Sequence, residues 1–139
     1  MKLARLSGRK VCERVMSKGI IWKGRTLLVR WMAPEQNSWF MLRIRSGNGG
    51  VYRINTVIQG VYIGTYASNK LDKSAVRRNR MRRRCREAFR MEVKKLSDFP
   101  PLLLLVTPRS RSLDASFAEI QKDGRDFLSN VYLCLKKAN

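Results

Sequence analysis

The sequence contains no histidine. This removes the side chain most often used for general acid–base catalysis and leaves no Ser–His or Cys–His pair to activate a nucleophile. Three cysteines, Cys12, Cys85 and Cys134, lie far apart with no C-x-x-C spacing. Without histidine they cannot close a Cys/His zinc site. Each falls on an expected apolar helix face, the place of a small buried hydrophobe in a reducing compartment. Acids are scarce, 10 Asp and Glu against 30 Lys and Arg. The one trio at helical spacing, Glu119, Asp123 and Asp126, alternates with Lys122 and Arg125, which reads as a surface ion-pairing face rather than a metal site. The longest apolar run, Leu102 to Val106, is far too short to span a bilayer. The N-terminus lacks the apolar core of a signal peptide. A cytoplasmic protein that does not itself carry bond-breaking chemistry is the expectation.

What the chain has is positive charge, a formal net +20 over 139 residues. Such self-repulsion opposes compaction unless a polyanion neutralises it. Nucleic acid is the natural partner. An anionic membrane is the weaker candidate, because no amphipathic helix here has an aromatic-rich apolar face. At 44% apolar residues the chain can bury a core, and its length fits one domain over residues 1–139.

The charge concentrates in Ser74 to Arg90, which holds eight arginines (77, 78, 80, 82, 83, 84, 86 and 90) and one acid, Glu87. The stretch is nevertheless patterned. Met81, Cys85, Ala88, Phe89, Val93 and Leu96 recur at steps of three and four, one apolar stripe on a helix. A disordered basic tail would have no use for that stripe, and a solvated face would mix charge signs at i,i+4. A helix that buries one stripe and presents guanidinium groups elsewhere suits a polyanion.

Around it, Ser7 caps a first helix over about 8–18, stopped by Gly19. Strands follow over Thr26–Ala33 and Trp39–Arg45, separated by a turn at Pro34–Ser38. Ser46–Gly50 has hairpin chemistry, Val51–Ile58 is β-prone, and Val61–Ala67 is a further main strand. The arginine helix runs to about Leu96, and Leu102–Thr107 reads as a central strand covered on both faces. Pro108 to Leu113 turns the chain. Ser116 and Glu119 form a capping box for a last helix with Phe117, Ile120, Gly124, Phe127, Leu128, Val131 and Leu135 on one face. Gly124 on that face suggests close approach to the sheet. The order gives class α+β, a mixed sheet with helices, in which the arginine helix joins two parallel neighbouring strands. The ordinary chirality rule would make that connection right-handed.

Arg78 to Arg90 resembles the signature of the protein subunit of bacterial ribonuclease P: Arg-Asn-Arg, a gap, Lys/Arg-Arg, two residues, Arg-Glu/Gln, one residue, Phe-Arg. Further stretches match in order: Arg9 to Gly19 (first helix and stop), Gly64 to Lys70 (a strand into a basic loop), and Leu102–Pro108 with Leu113–Glu119 (the last strand and helix). The resemblance implies an α-β sandwich with a mixed four-stranded central sheet and a left-handed βαβ crossover through the arginine helix. It implies a basic, monomeric partner of a catalytic RNA that carries the active site and its Mg²⁺ and removes the 5′ leader of precursor tRNA. By position, Arg78, Asn79, Arg80 and Lys70 would contact the RNA subunit, and Arg82, Arg83 and Arg86 would border the leader groove. Asn69 replaces a family lysine of the loop. The family's groove aromatics fall at Cys12, Met16 and Arg30, so all three are lost. Tyr66 with Tyr62, on one face of a strand and flanking Gly64, are the candidates to stack bases instead; the competing reading makes Tyr66 a packed core aromatic. With Met16 and Arg30 they complete the expected leader-binding set. Residues 46–60 stand as an insertion, an extra hairpin that either extends the RNA-facing surface through Arg45 and Arg53 or merely elaborates an edge. The alternative function is a ribosomal-protein-like or generic RNA-chaperone module. A nuclease acting without RNA would need an acid cluster for Mg²⁺, which no single element offers.

Overall fold

The structure is a computed structural model and describes residues 3–6, 9–33, 40–45, 51–56, 60–97 and 99–138. The expected cap Ser7 and the turns at 34–38 and 46–50 lie outside these residues.

The run Leu102-Leu-Leu-Leu-Val-Thr-Pro108 is buried almost throughout because it forms the central strand. Numbering strands in chain order, β1 is Leu3–Arg5, β2 Ile20–Lys23, β3 Leu27–Met32, β4 Phe40–Arg45, β5 Val51–Thr56, β6 Val61–Thr65 and β7 Leu102–Pro108. The main sheet has five strands in the order β1-β6-β7-β3-β2. β1, β6 and β7 run parallel, while β3 is antiparallel to both β7 and β2. The helices are α1 (Arg9–Lys18), α2 (Ala75–Lys94) and α3 (Phe117–Ala138), with a short 3-10 helix at Ser110–Leu113 inside the expected turn. The class is α+β as expected.

The strand count differs from four for two reasons. β1 and β2 are three and four residues long, mostly exposed and at the edges, too short to show a period. β4, expected in the central sheet, pairs instead with β5 from Phe40↔Thr56 to Arg45↔Val51. The inserted hairpin is therefore a separate two-stranded sheet that includes Arg45 on β4 and Arg53 on β5.

Two apolar layers cover the main sheet. On one face Leu27, Val29, Trp31, Val61 and Ile63 meet the α2 stripe (Met81, Cys85, Ala88, Phe89, Val93) and Ile120, Phe127, Leu128 and Val131 of α3. Phe127 packs edge-on against Phe89 and Trp22, with ring centroids 5.9 and 5.5 Å apart. On the other face Val11 and Val15 of α1 cover Leu6, Leu103 and Leu105. Gly19 ends α1 where a Cβ would lie 2.4 Å from the Val15 carbonyl oxygen, so only glycine lets the chain turn back there.

The hydrogen bonds fix the hand of the β6–α2–β7 connection. The Tyr66 N–H donates to Val106 O (3.0 Å) and the Leu102 N–H to Gly60 O (3.1 Å), so even-numbered residues of β6 bond toward β7. With β6 running upward and β7 on its right, L-chirality turns those residues' side chains toward the viewer. Tyr62 lies with the α1 layer, whereas Val61 and Ile63 lie with α2. α2 is therefore behind the sheet and the crossover is left-handed, against a rule obeyed in about 98% of such units.

Three expectations change. Asp123 is buried rather than part of an ion-pairing surface: its carboxylate accepts the Thr26 N–H (2.6 Å) and hydroxyl. Gly124 faces Phe89 of α2, not the sheet, at ordinary contact distance. Cys134 is exposed, whereas Cys85 is buried and Cys12 half-buried.

Candidate nucleic-acid interface

Helix α2 begins at a collar built from local polar chemistry. The Ser74 side chain accepts the Arg77 N–H (3.4 Å), and Asp72 accepts the Ser74 N–H (2.9 Å) and an Arg77 guanidinium N–H (3.3 Å). The capping residues thus satisfy donors that a helix start leaves unpaired. Past the collar, the buried stripe sets the rotation of the helix and hence where every arginine points.

The eight arginines divide. Arg77 pairs with Asp72, and Arg90 with Glu87. Arg78 donates from Nη1 to the carbonyls of Asp72 (2.9 Å) and Lys73 (3.1 Å). Arg84 donates to Ala115 O (2.8 Å) and Ser112 O (3.5 Å), tying α2 to the turn before α3. The remaining four, Arg80, Arg82, Arg83 and Arg86, have no acceptor among the described residues. The Nε atoms of Arg82 and Arg86 are buried and still unpartnered, which is costly for a charged donor.

Three of these four converge. Arg82, Arg83 and Arg86, with Asn79, line a groove of about 370 Å³ whose other walls are Arg5, Leu6, Cys12, Gly64, Thr65 and Leu105. Gly64 keeps the floor low; a Cβ there would stand 3.3 Å from a Leu105 methyl. Among the described residues no acid lines the groove. Burial, and after it the charge of Arg5, holds the Arg86 guanidinium below its ordinary pKa. Burial likewise raises the Cys12 thiol above its ordinary value. The groove is therefore a concentration of uncompensated positive charge and guanidinium donors with an apolar floor, suited to a strand carrying phosphates and flat bases.

The other expected residues have these places. Arg80 is exposed on α2, and Lys70 is exposed in the loop before it. Asn79, expected with Arg78 and Arg80, also lines the groove beside Arg82 and Arg83. Tyr62 packs half-buried in the α1 layer. Tyr66 is 48% exposed and Met16 40%. Arg30 is half-buried and sits in register with Leu105 on β7. Tyr66, Tyr62, Met16 and Arg30 are not among the groove's lining residues. Sequence reasoning missed Arg5, because its strand is three residues long; the only local hint is the Leu3/Leu6 pair around it. Among the described residues no three Cys, Asp or Glu side chains come together as metal ligands, and no helix is long and apolar enough to cross a membrane.

The sequence profile of ribonuclease P matches residues 1–132. Comparison with curated protein sequences finds no match. Among solved structures, the ribonuclease P protein of Staphylococcus aureus superposes with a TM-score of 0.62 at 22% identity, covering 94% of this chain and 95% of that one. The ribonuclease P protein of Thermotoga maritima gives 0.62 at 16% identity, with 91% and 96% covered. At these identities the likeness to the solved structures speaks for the fold.

Proposed function

The chain belongs to the ribonuclease P family, and on that premise we propose that it is the protein subunit of the ribonucleoprotein that removes 5′ leaders from precursor tRNA. The RNA subunit carries the active site and holds Mg²⁺. The protein grips the substrate strand and the catalytic RNA. The observation that supports this best is the groove beside α2, where Arg82, Arg83, Arg86 and Asn79 converge with no acid among the described lining residues.

Each residue has a task in this reading. Arg82, Arg83 and Arg86 contact phosphates of the leader, giving affinity with a steep salt dependence and little sequence preference. Arg78, Asn79, Arg80 and Lys70 meet the RNA subunit. Arg78 keeps free donors after its Nη1 has bonded the loop carbonyls, so it can hold the loop and reach RNA together. Tyr66 is exposed enough to stack on a base; Tyr62, Met16 and Arg30 complete the leader-binding set. The chain works as a monomer within the particle, in the cytoplasm, without a membrane partner.

The test is cleavage of precursor tRNA with Mg²⁺, with and without the cognate catalytic RNA. Stimulated cleavage only when both RNA and protein are present is the expected result. Cleavage by the protein alone would overturn it in favour of a protein nuclease. No effect in either case would leave a structural RNA-binding module.

A further inference from the structure

We propose that Arg5, on edge strand β1, closes a three-arginine clamp with Arg82 and Arg86 around a single phosphodiester of single-stranded RNA. The inference rests on the RNA-binding reading above and adds a residue and a stoichiometry to it.

The geometry begins with the strand. β1 is bound to β6 in parallel register, Arg5 opposite Ile63, and the Leu6 N–H donates to Ile63 O at 2.7 Å. Ile63 faces α2, and Leu6 faces the α1 layer. Strand alternation therefore turns Arg5 toward α2. There it meets Arg82 and Arg86, which stand one helical turn apart on the same side of α2. All three line one groove.

The energetics point to an anion. Like charges are not brought together, and Nε donors are not buried without acceptors, unless something compensates them. Arg5 and Arg86 line the same groove, and the charge of Arg5 adds to burial in lowering the Arg86 pKa. Arg77, Arg78, Arg84 and Arg90 bond protein acceptors, whereas Arg5, Arg82 and Arg86 have none among the described residues. A phosphodiester offers two unesterified oxygens with lone pairs enough for several guanidinium forks. The floor of Leu6, Cys12, Gly64 and Leu105 would take the apolar side of the adjoining nucleotide.

The test compares binding of the intact protein to a short single-stranded RNA by fluorescence anisotropy over a range of salt. Arg5→Gln and Arg86→Gln each weaken binding about tenfold and reduce the salt slope by about one. Because both act on one phosphate, the double variant falls no more than about threefold below the weaker single. Two results overturn the clamp: wild-type affinity for Arg5→Gln while Arg86→Gln is weakened, or a double loss near the product of the two, about a hundredfold. Wild-type affinity in both singles likewise overturns the clamp, whereas failure of the wild-type protein to bind the RNA at all overturns the RNA-binding reading itself, so the two failures are distinguishable. A second readout does not depend on affinity. Bound RNA slows alkylation of Cys12, which lines the groove, relative to exposed Cys134 in the wild-type protein. An unchanged Cys12 rate with RNA bound places the strand elsewhere and overturns the clamp.

Discussion

Arg84, in the middle of the arginine run, donates to the carbonyl oxygen of Ala115 at 2.8 Å. Arg83 beside it lines the groove and has no protein acceptor among the described residues. Neighbours in sequence, rotated by about 100° on the helix, thus turn one to the fold and the other to the groove. Arg84→Ala should lower unfolding free energy by about 1–3 kcal/mol, the cost of stranding half-buried carbonyls. Arg83→Ala should change it by less than about 0.5 kcal/mol. RNA affinity should rank the two variants the other way. Urea titration and anisotropy on the same pair of variants check both halves.

Asp123 is a second structural anchor. Its carboxylate takes both Thr26 donors at the start of β3, from a position 97 residues away. Asp123→Ala should cost about 3 kcal/mol, since it removes two hydrogen bonds to a charged group and leaves a buried N–H unpaired. Thr26→Val, which keeps the backbone donor, should cost less. Chemical denaturation ranks them; equal losses would mean that the hydroxyl carries the whole interaction.

Glu92 gives the fold a pH dependence. It lies on the buried stripe of α2 and accepts from Lys95 (3.2 Å), Gln121 (2.9 Å) and Arg125 (3.3 Å). Burial alone would raise its carboxyl, but the hydrogen bonds from Arg125, Gln121 and Lys95 together outweigh it and hold the group below its ordinary 4.5. A folded pKa below the unfolded one adds stability that is present above the unfolded value and lost as pH falls through the folded one. Glu92→Gln should therefore be less stable than wild type at pH 7, and the gap should close as pH falls below about 4.5. Unfolding titrations from neutral to acid pH test this; a gap that stays constant would contradict it.

Much of this was legible in the sequence for a physical reason. The α2 stripe at steps of three and four could only be a helix with one buried face, and the Leu102–Val106 run could only be a covered strand. The capping box at Ser116 and Glu119 forms as its spacing requires, each residue bonding the other's backbone N–H. What was not legible has causes too. β1 and β2 are held by backbone pairing to β6 and β3, which leaves no mark on side-chain patterning. Asp123 did leave a mark: it sits three residues after Ile120 and four before Phe127, on the buried stripe, but its neighbours Lys122 and Arg125 suggested an ion-pairing face. The left hand of the crossover runs against the general rule, so the family resemblance supplied it. The division among the arginines depends on which carbonyls the turn at Ser112–Ala115 presents to α2, a tertiary fact.

Tyr66, just past the end of β6, is exposed, while Tyr62 on β6 is partly covered by the α1 layer. Stacking on a leader base is worth about 1–3 kcal/mol, so Tyr66→Ala should weaken precursor binding by roughly fivefold or more, and Tyr66→Phe should not. Tyr62→Ala should weaken precursor binding less than Tyr66→Ala and should also lower stability, through lost packing. If Tyr66→Ala leaves leader-dependent affinity intact while Arg83→Ala lowers it, the stacking role is wrong and the phosphate role stands.

The most direct measurement concerns the groove itself. The reconstituted holoenzyme, wild type or Arg83→Ala, is titrated with precursor tRNA and with mature tRNA lacking the leader. Arg83→Ala should weaken precursor binding by about tenfold, leave mature tRNA binding unchanged, and so narrow the difference between them. An equal loss on both substrates would mean that Arg83 meets the catalytic RNA or the tRNA body, and would contradict a leader grip in the groove beside α2.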